Sequence, residues 1–326
     1  MGKKMAVVFV AAAVCLFAAG NAFAAWTQAK GHSYNQLTLS YYNNSNKFTT
    51  IEKNSDGDVV RTDAKAFKNE EEEFSSTKVT YYGEYGLMDD LTAIFSGGWD
   101  YVRSNDILFH TEDKDSVSGV GDIIVGLRQK ISNNIGAGIL MSVQADVKIP
   151  EAYEYENPID HQNLGDGQYD TTVKLVFGRG FSKGYTVFSA GYKYRFENNE
   201  LGDLNFKPSD QFLVSLSGGY NATPWLSIRG QIDWNRAVGN AEVSDELVTY
   251  AYCCGVSRDY GEAVVILDTL GLEQSALSAG VALAFTISPN MQTVISYNTD
   301  LTGFGPFRTE NAAWGQTYSI AFVYMH

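Results

Sequence analysis

The chain has 326 residues, 24 Lys+Arg against 38 Asp+Glu, a formal net charge of −14 and 44% hydrophobic residues. That acidic balance excludes a phosphate-backbone binder, which needs clustered Lys and Arg, so no nucleic-acid partner is expected; the apolar content excludes a disordered chain. With 4 His and 3 Cys, neither a structural zinc centre nor a disulfide-dense scaffold is expected, and no metal or cofactor is read.

The first element is an export signal over residues 1–24. Lys3 and Lys4 give a positive start, Met5 to Gly20 an uncharged apolar run, and Ala22-Phe23-Ala24 a small-x-small site that places cleavage between Ala24 and Ala25. Cys15 follows Ala13-Val14, a poor lipoprotein match, so no lipid anchor is expected. The mature domain is then residues 25–326. Beyond the signal no apolar run approaches the ~18 residues of a membrane helix. Such a chain either leaves the membrane or spans it as strands, because only helices and closed barrels satisfy the backbone in lipid.

From Ser33 the chain alternates with period 2. In Ser33 to Tyr42, Leu37, Leu39 and Tyr41 oppose Gln36, Thr38 and Ser40; in Thr77 to Tyr85, Val79, Tyr81 and Tyr85 oppose Lys78, Thr80 and Glu84. Leu91 to Tyr101, Asp122 to Ile131 and Ile139 to Ile149 follow, then Tyr169 to Gly178, Tyr185 to Glu197 and Asp210 to Tyr220. Trp225 to Asn235, Leu277 to Ile287, Met291 to Leu301 and Thr317 to Met325 complete about twelve segments of bilayer-spanning strand length. An arginine should be costly on the apolar face, at Val143, and cheap on the other, at Ser142.

The connections alternate too. Gly86 to Asp90, Ser132 to Asn134, Arg179 to Gly184, Asn221 to Pro224 and Ser288 to Asn290 are short and rich in turn residues. Asn43 to Ser76, Val102 to Gly121, Pro150 to Gly167 and Arg236 to Ser275 are long and polar. A β-sandwich also alternates, but it has no reason to place every long loop at one end. Short turns at one end and long loops at the other fit an antiparallel transmembrane β-barrel with both termini at the periplasmic side. Tyr41, Tyr81, Tyr85, Tyr101, Tyr185, Tyr220, Trp225, Trp234, Tyr297 and Tyr324 stand near segment ends, where interfacial girdles belong. Tyr318, Ile320, Phe322 and Tyr324 share a face of the last strand, the kind of ending that barrel-assembly machinery reads, though the final residue is His326.

Two stretches carry a resemblance. Gly119-Val120-Gly121-Asp122 opens the fourth strand; Val147-Lys148-Ile149-Pro150 is followed by Leu164-Gly165-Asp166-Gly167-Gln168-Tyr169-Asp170. This order resembles the family called putative MetA-pathway of phenol degradation, from about Thr77 to the C-terminus. Ile149-Pro150-Glu151-Ala152 lacks the Thr-Gly of the family pattern. The resemblance implies an outer-membrane barrel, transporter-like, for aromatic or other small organic molecules. It implies no catalytic residues. Physically, Gly119, Gly121, Gly165 and Gly167 read as rim glycines that let a strand start under a close-packed loop.

The expected lumen face carries Lys78, Arg128, Lys130, Lys148, Lys174, Lys193, Arg195 and Arg229, with Glu84, Asp122, Asp146, Asp170 and Asp233. So many charges need a wet interior or mutual pairing. Either they brace the wall or they line a pore that selects by charge. Lys148, Lys174, Lys193 and Arg195 form a basic ladder, with Asp146, Asp170 and Glu197 as acids able to screen it. Glu70 to Glu73, Glu112-Asp113, Glu151, Glu154, Glu156 and Asp245-Glu246 fall in the long loops, as solvated runs or as sites where cations bridge to lipopolysaccharide.

Cys253 and Cys254 are adjacent, in a loop expected to be extracellular and oxidising. Neighbouring Cα atoms lie ~3.8 Å apart, below the usual disulfide range. Free thiols and an intermolecular link remain open beside the first expectation, a vicinal disulfide. An enzyme is not expected: His32 and His326 fall near the termini and His110 and His161 in loops, so none stands on a strand body beside a nucleophile. The sequence thus reads as a passive outer-membrane channel for small, organic solutes, touching outer-membrane lipids and lipopolysaccharide; a surface adhesion or structural barrel is the alternative.

Overall fold

A residue pattern of period 2 makes one sheet face apolar and the other polar, and closing that sheet hides its edges. The computed structural model describes residues 26–53, 59–68, 73–105, 115–251 and 258–326. The expected signal, with Ala24 and Ala25, and the Cys253-Cys254 pair lie outside the described residues. The strands are β1 (Ser33–Lys53), β2 (Val59–Lys68), β3 (Glu73–Met88), β4 (Leu91–Asn105), β5 (Asp115–Val120), β6 (Ile123–Ser132), β7 (Leu140–Ile149) and β8 (Asp170–Phe181). They continue as β9 (Gly184–Arg195), β10 (Phe206–Lys207), β11 (Asp210–Asn221), β12 (Leu226–Val238), β13 (Glu242–Val243), β14 (Ala276–Ser288), β15 (Met291–Leu301) and β16 (Ala312–Met325).

Neighbours pair antiparallel in the order β1, β3, β4, β6, β7, β8, β9, β11, β12, β14, β15, β16, and β16 returns to β1. The result is a closed barrel of 12 strands. The seam runs in register from Tyr34↔Met325 to Asn44↔Gly315, and the His326 amide donates to the Ser33 carbonyl at 2.9 Å. All twelve expected segments are strands of this wall. The segment before β1, the C-terminus and the short turns share one end, here the turn end; the long connections share the other, the loop end.

Outside the bilayer-length stretch the sequence reading is corrected in several places. The Asn43–Ser76 stretch is not plain loop: β1 and β3 run on, and β2 pairs with the β1 extension. Within Val102–Gly121, β4 continues and β5 pairs with it. Gly121 and Asp122 are a break between β5 and β6 rather than a strand start. The turn after Ser132 is longer than three residues, with the Asn134 side chain accepting from the amides of Gly136 and Gly138 at 2.9 and 3.1 Å. Arg236–Ser275 contains two short helices, Asp245–Ala251 and Arg258–Val264. Ser244 caps the first, its hydroxyl accepting from the Leu247 amide at 3.2 Å, so Asp245 and Glu246 form a helical first turn.

The outward face is the apolar one. Leu37, Val173, Val281, Ile295 and Phe322 are exposed, as are Tyr41, Tyr81, Tyr85, Tyr101, Trp225 and Tyr324 near strand ends. Tyr185 departs from the expected girdle, because it shares the inward parity of Val187 and lines the lumen. Ser142 also needs correction: it points inward but is 0% exposed, so an arginine there would meet packed atoms. The inward Gln231 is exposed and is the better control. Val143→Arg should destabilise the barrel by roughly 2–4 kcal/mol in a lipid or detergent unfolding titration, while Gln231→Arg should stay within about 0.5 kcal/mol. Equal costs would mean the two faces are assigned wrongly.

Candidate functional site

The inward residues organise the lumen at its two ends. At the turn end, Trp26 and Gln28 lie against the inner wall, while Ala29 and Lys30 are exposed at the rim, the Lys30 amide donating to Asp89. The Gln28 amide donates to Thr92 Oγ1 at 2.7 Å and its side chain to Glu84 Oε2 at 2.8 Å. Arg128 donates to the Trp26 carbonyl at 3.2 Å, and the Trp26 ring packs with Leu140, Val176 and Val187. Arg128 also pairs with Glu84 at 2.9 Å and donates to Gln144 at 2.9 Å, while the Tyr82 hydroxyl donates to Glu84 at 2.6 Å. Glu84 and Arg128 are both buried. Gly86 lets the segment approach: a Cβ there would meet the Ala29 carbonyl oxygen at 2.0 Å. No periodic pattern marks these few residues, so sequence reasoning missed them.

At the loop end, the stretches that carried the resemblance meet. Lys148 Nζ lies 2.9 Å from Asp166, 3.0 Å from Asp170 and 3.6 Å from Asp122. Arg195 closes the knot, 3.2 Å from Asp166 and 3.6 Å from Asp170. The glycines fit the same joint: Leu164 rests on Gly119 and Gly121, and a Cβ at Gly165 would strike Asp122 at 2.5 Å. Gly167 has φ +70°, a conformation that favours glycine. The side chain of Asp166 is 56% exposed to the mouth. Enclosure by the surrounding walls works against its ionisation, but Lys148 and then Arg195 outweigh that and hold its carboxyl well below the usual carboxylate range. Tyr153 donates to Asp122 at 2.8 Å, and burial, then that carboxylate, pushes its hydroxyl up.

Most of the expected lumen residues are therefore brought together as ion pairs. Lys78 meets Asp100 at 2.9 Å and Lys174 meets Asp146 at 3.1 Å. Of the acids expected beside the basic ladder, Asp146 and Asp170 take that place; Glu197 instead accepts from Asn205 at 2.9 Å. Asp233 accepts from Gln231 at 2.5 Å. Lys193 and Arg229 make no ion pair among the described residues. Lys193 lines a chamber of about 400 Å³ at the loop end with Asp166 and Arg195. Arg229 lines one of about 440 Å³ at the turn end with Tyr34, Tyr82 and Tyr185. No group of three or more His, Cys, Asp or Glu side chains among the described residues could hold a metal ion.

Over the loop end sits a small apolar core that the sequence did not announce. Ile159, Phe206, Leu247, Val265, Leu267 and Leu272 are buried together, with Ile51, Tyr155 and Leu204 packed on them. It joins the β7–β8, β9–β11 and β12–β14 connections to the extension of β1, and Lys47 pins it through Asp268 at 3.0 Å. The folded connections thus lean over the mouth instead of standing free.

Among protein families, the one described as Putative MetA-pathway of phenol degradation matches residues 49–313. Among solved structures, an outer membrane channel from Pseudomonas putida F1 superposes with a TM-score of 0.62 at 12% identity, covering 94% of this chain and 100% of that one. The NanC porin gives a TM-score of 0.47 at 8% identity, covering 89% of this chain and 98% of its own. No curated protein matches the chain. At such identities the likeness shows the fold alone, that of outer-membrane barrels.

Proposed function

Because the chain belongs to the family described as Putative MetA-pathway of phenol degradation, we propose that it is an outer-membrane channel for small organic solutes, aromatic ones among them. Passage is by diffusion, and the protein is not an enzyme. The observation that carries this reading is a closed wall with an apolar outer belt around a charge-lined interior that holds two chambers. A barrel of this size sits between side-chain-filled small barrels and open porins. The pathway is lined by Lys78, Glu84, Arg128, Asp146, Lys148, Lys174, Lys193, Arg195, Arg229 and Asp233. The turn end is periplasmic and the loop end extracellular, reached after export by a cleavable signal and insertion by the barrel-assembly machinery. Outer-membrane lipids surround the belt, and lipopolysaccharide surrounds the loops.

Purified mature protein in planar bilayers should give discrete conductance steps, and loaded vesicles should swell faster with a small aromatic solute outside. A folded protein that does neither would overturn the channel reading. A surface structural or adhesion barrel is the second reading, and the packed core over the mouth is what favours it. It predicts silence in both assays.

A further inference from the structure

Most lumen charges balance by pairing, although among the described residues Lys130 and Asp233 meet only neutral partners, the Asp89 carbonyl and the Gln231 side chain. Arg128 answers Glu84, Lys78 answers Asp100, Lys174 answers Asp146, and Lys148 with Arg195 answers Asp122, Asp166 and Asp170. Lys193 has no ion pair but shares its chamber with Asp166. Arg229 is different. Among the described residues its hydrogen-bond partner is neutral, the Gln292 side-chain oxygen at 2.7 Å, and its Nε is buried without a hydrogen-bond partner. Arg229 lines the chamber, and of a guanidinium's N–H donors the outer ones not taken by Gln292 are left for an anion. The charged groups lining this chamber are Glu84, Arg128 and Arg229. The first two neutralise each other, so the chamber is left with one positive charge.

Three aromatic rings face the same space. The hydroxyls of Tyr34 and Tyr82 are already committed, to Gln36 at 2.7 Å and to Glu84 at 2.6 Å. What these tyrosines offer is therefore their rings, which stand edge to face at 6.2 Å. Tyr185 lines the chamber beside them, placed there by the inward parity of its strand. At about 440 Å³ the chamber falls within the size of ordinary small-ligand pockets. We infer that the turn-end chamber is a binding station for a small monoanion with an aromatic body, its carboxylate held by Arg229 and its ring against Tyr34, Tyr82 and Tyr185. This rests on the channel reading, of which it names the substrate class and one stopping point. An uncharged aromatic would lack the carboxylate contact, and a dianion would be undercompensated.

The test uses benzoate and benzyl alcohol as probes, by equilibrium dialysis against the purified full-length mature barrel. Benzoate should be held more tightly than benzyl alcohol. Arg229→Gln should weaken benzoate by about tenfold or more, the scale of a lost charged contact, and leave benzyl alcohol unchanged. Gln292→Glu is the second variant: it sets a carboxylate beside Arg229 and should abolish the same preference with a nearly isosteric change. Slower migration after boiling identifies the folded variants. Equal binding of both probes by the parent protein, or unaltered benzoate binding in either folded variant, overturns the inference. Bilayer conductance is recorded in parallel. Conductance without benzoate preference removes this station and leaves the channel; benzoate binding without conductance does the reverse.

Discussion

Removing Trp26 to Lys30 from the mature chain should raise single-channel conductance about twofold or more, because Trp26 and Gln28 bond to the inner wall at the turn end and take up part of the lumen there. The segment is held by hydrogen bonds to Thr92, Glu84 and Arg128 and by one half-buried indole. Burial of a large side chain is worth about 1.5–3 kcal/mol, so Trp26→Ala should act in the same direction, more weakly. Gly86→Leu offers an independent route without shortening the chain. Its side chain would occupy the position of the Ala29 carbonyl and expel the segment. If deletion and Gly86→Leu both leave conductance unaltered while gels show folded barrels, the segment does not control the passage.

Glu84→Ala should destabilise the barrel by about 3–5 kcal/mol in denaturant titrations, since it strands a buried guanidinium. Arg128 lies 2.9 Å from Glu84, and their side chains are 6% and 7% exposed. Glu84 also receives Tyr82 and Gln28, so three donors lose their acceptor together. The double change Glu84→Leu with Arg128→Met should recover most of the loss, because two apolar groups leave no charge to solvate. A single-variant cost under about 1 kcal/mol would show that water already reaches the pair.

The wall was legible because a bilayer imposes a contrast that a sequence must record. Lipid on one side and water on the other force Val173 outward and Lys174 inward at every second step. Past the bilayer both faces of a strand meet water, the contrast vanishes, and the extension of β1 or the pairing of β5 leaves no period to read. The helix at Asp245–Ala251 spans 7 residues, too few for a helical period to declare itself. Tyr185 was misplaced because an aromatic near a strand end suggests a girdle, although parity with Lys193 already pointed it inward. The charge ladder was legible as a face but not as pairs. Which acid meets Lys148 depends on a loop folding back to set Asp166 beside it, and no local spacing encodes that return. The glycines did foreshadow the joint, since Leu164 and Asp122 need the room that Gly121 and Gly165 leave.

The seam between β1 and β16 joins residues nearly a full chain length apart, Tyr34 with Met325. Ordering so long a loop carries the largest chain-entropy cost of any pairing in the wall, and nothing local offsets it beforehand. Every other strand pair can zip to a neighbour that follows it in the chain, whereas this one must wait for the last residues to arrive. Until then two bare backbone edges face outward, each able to recruit a strand from another molecule. Assembly is therefore gated by its final step. Shortening the C-terminus by a few residues should slow barrel formation and favour aggregates, while leaving a finished barrel that does form almost as resistant to heat.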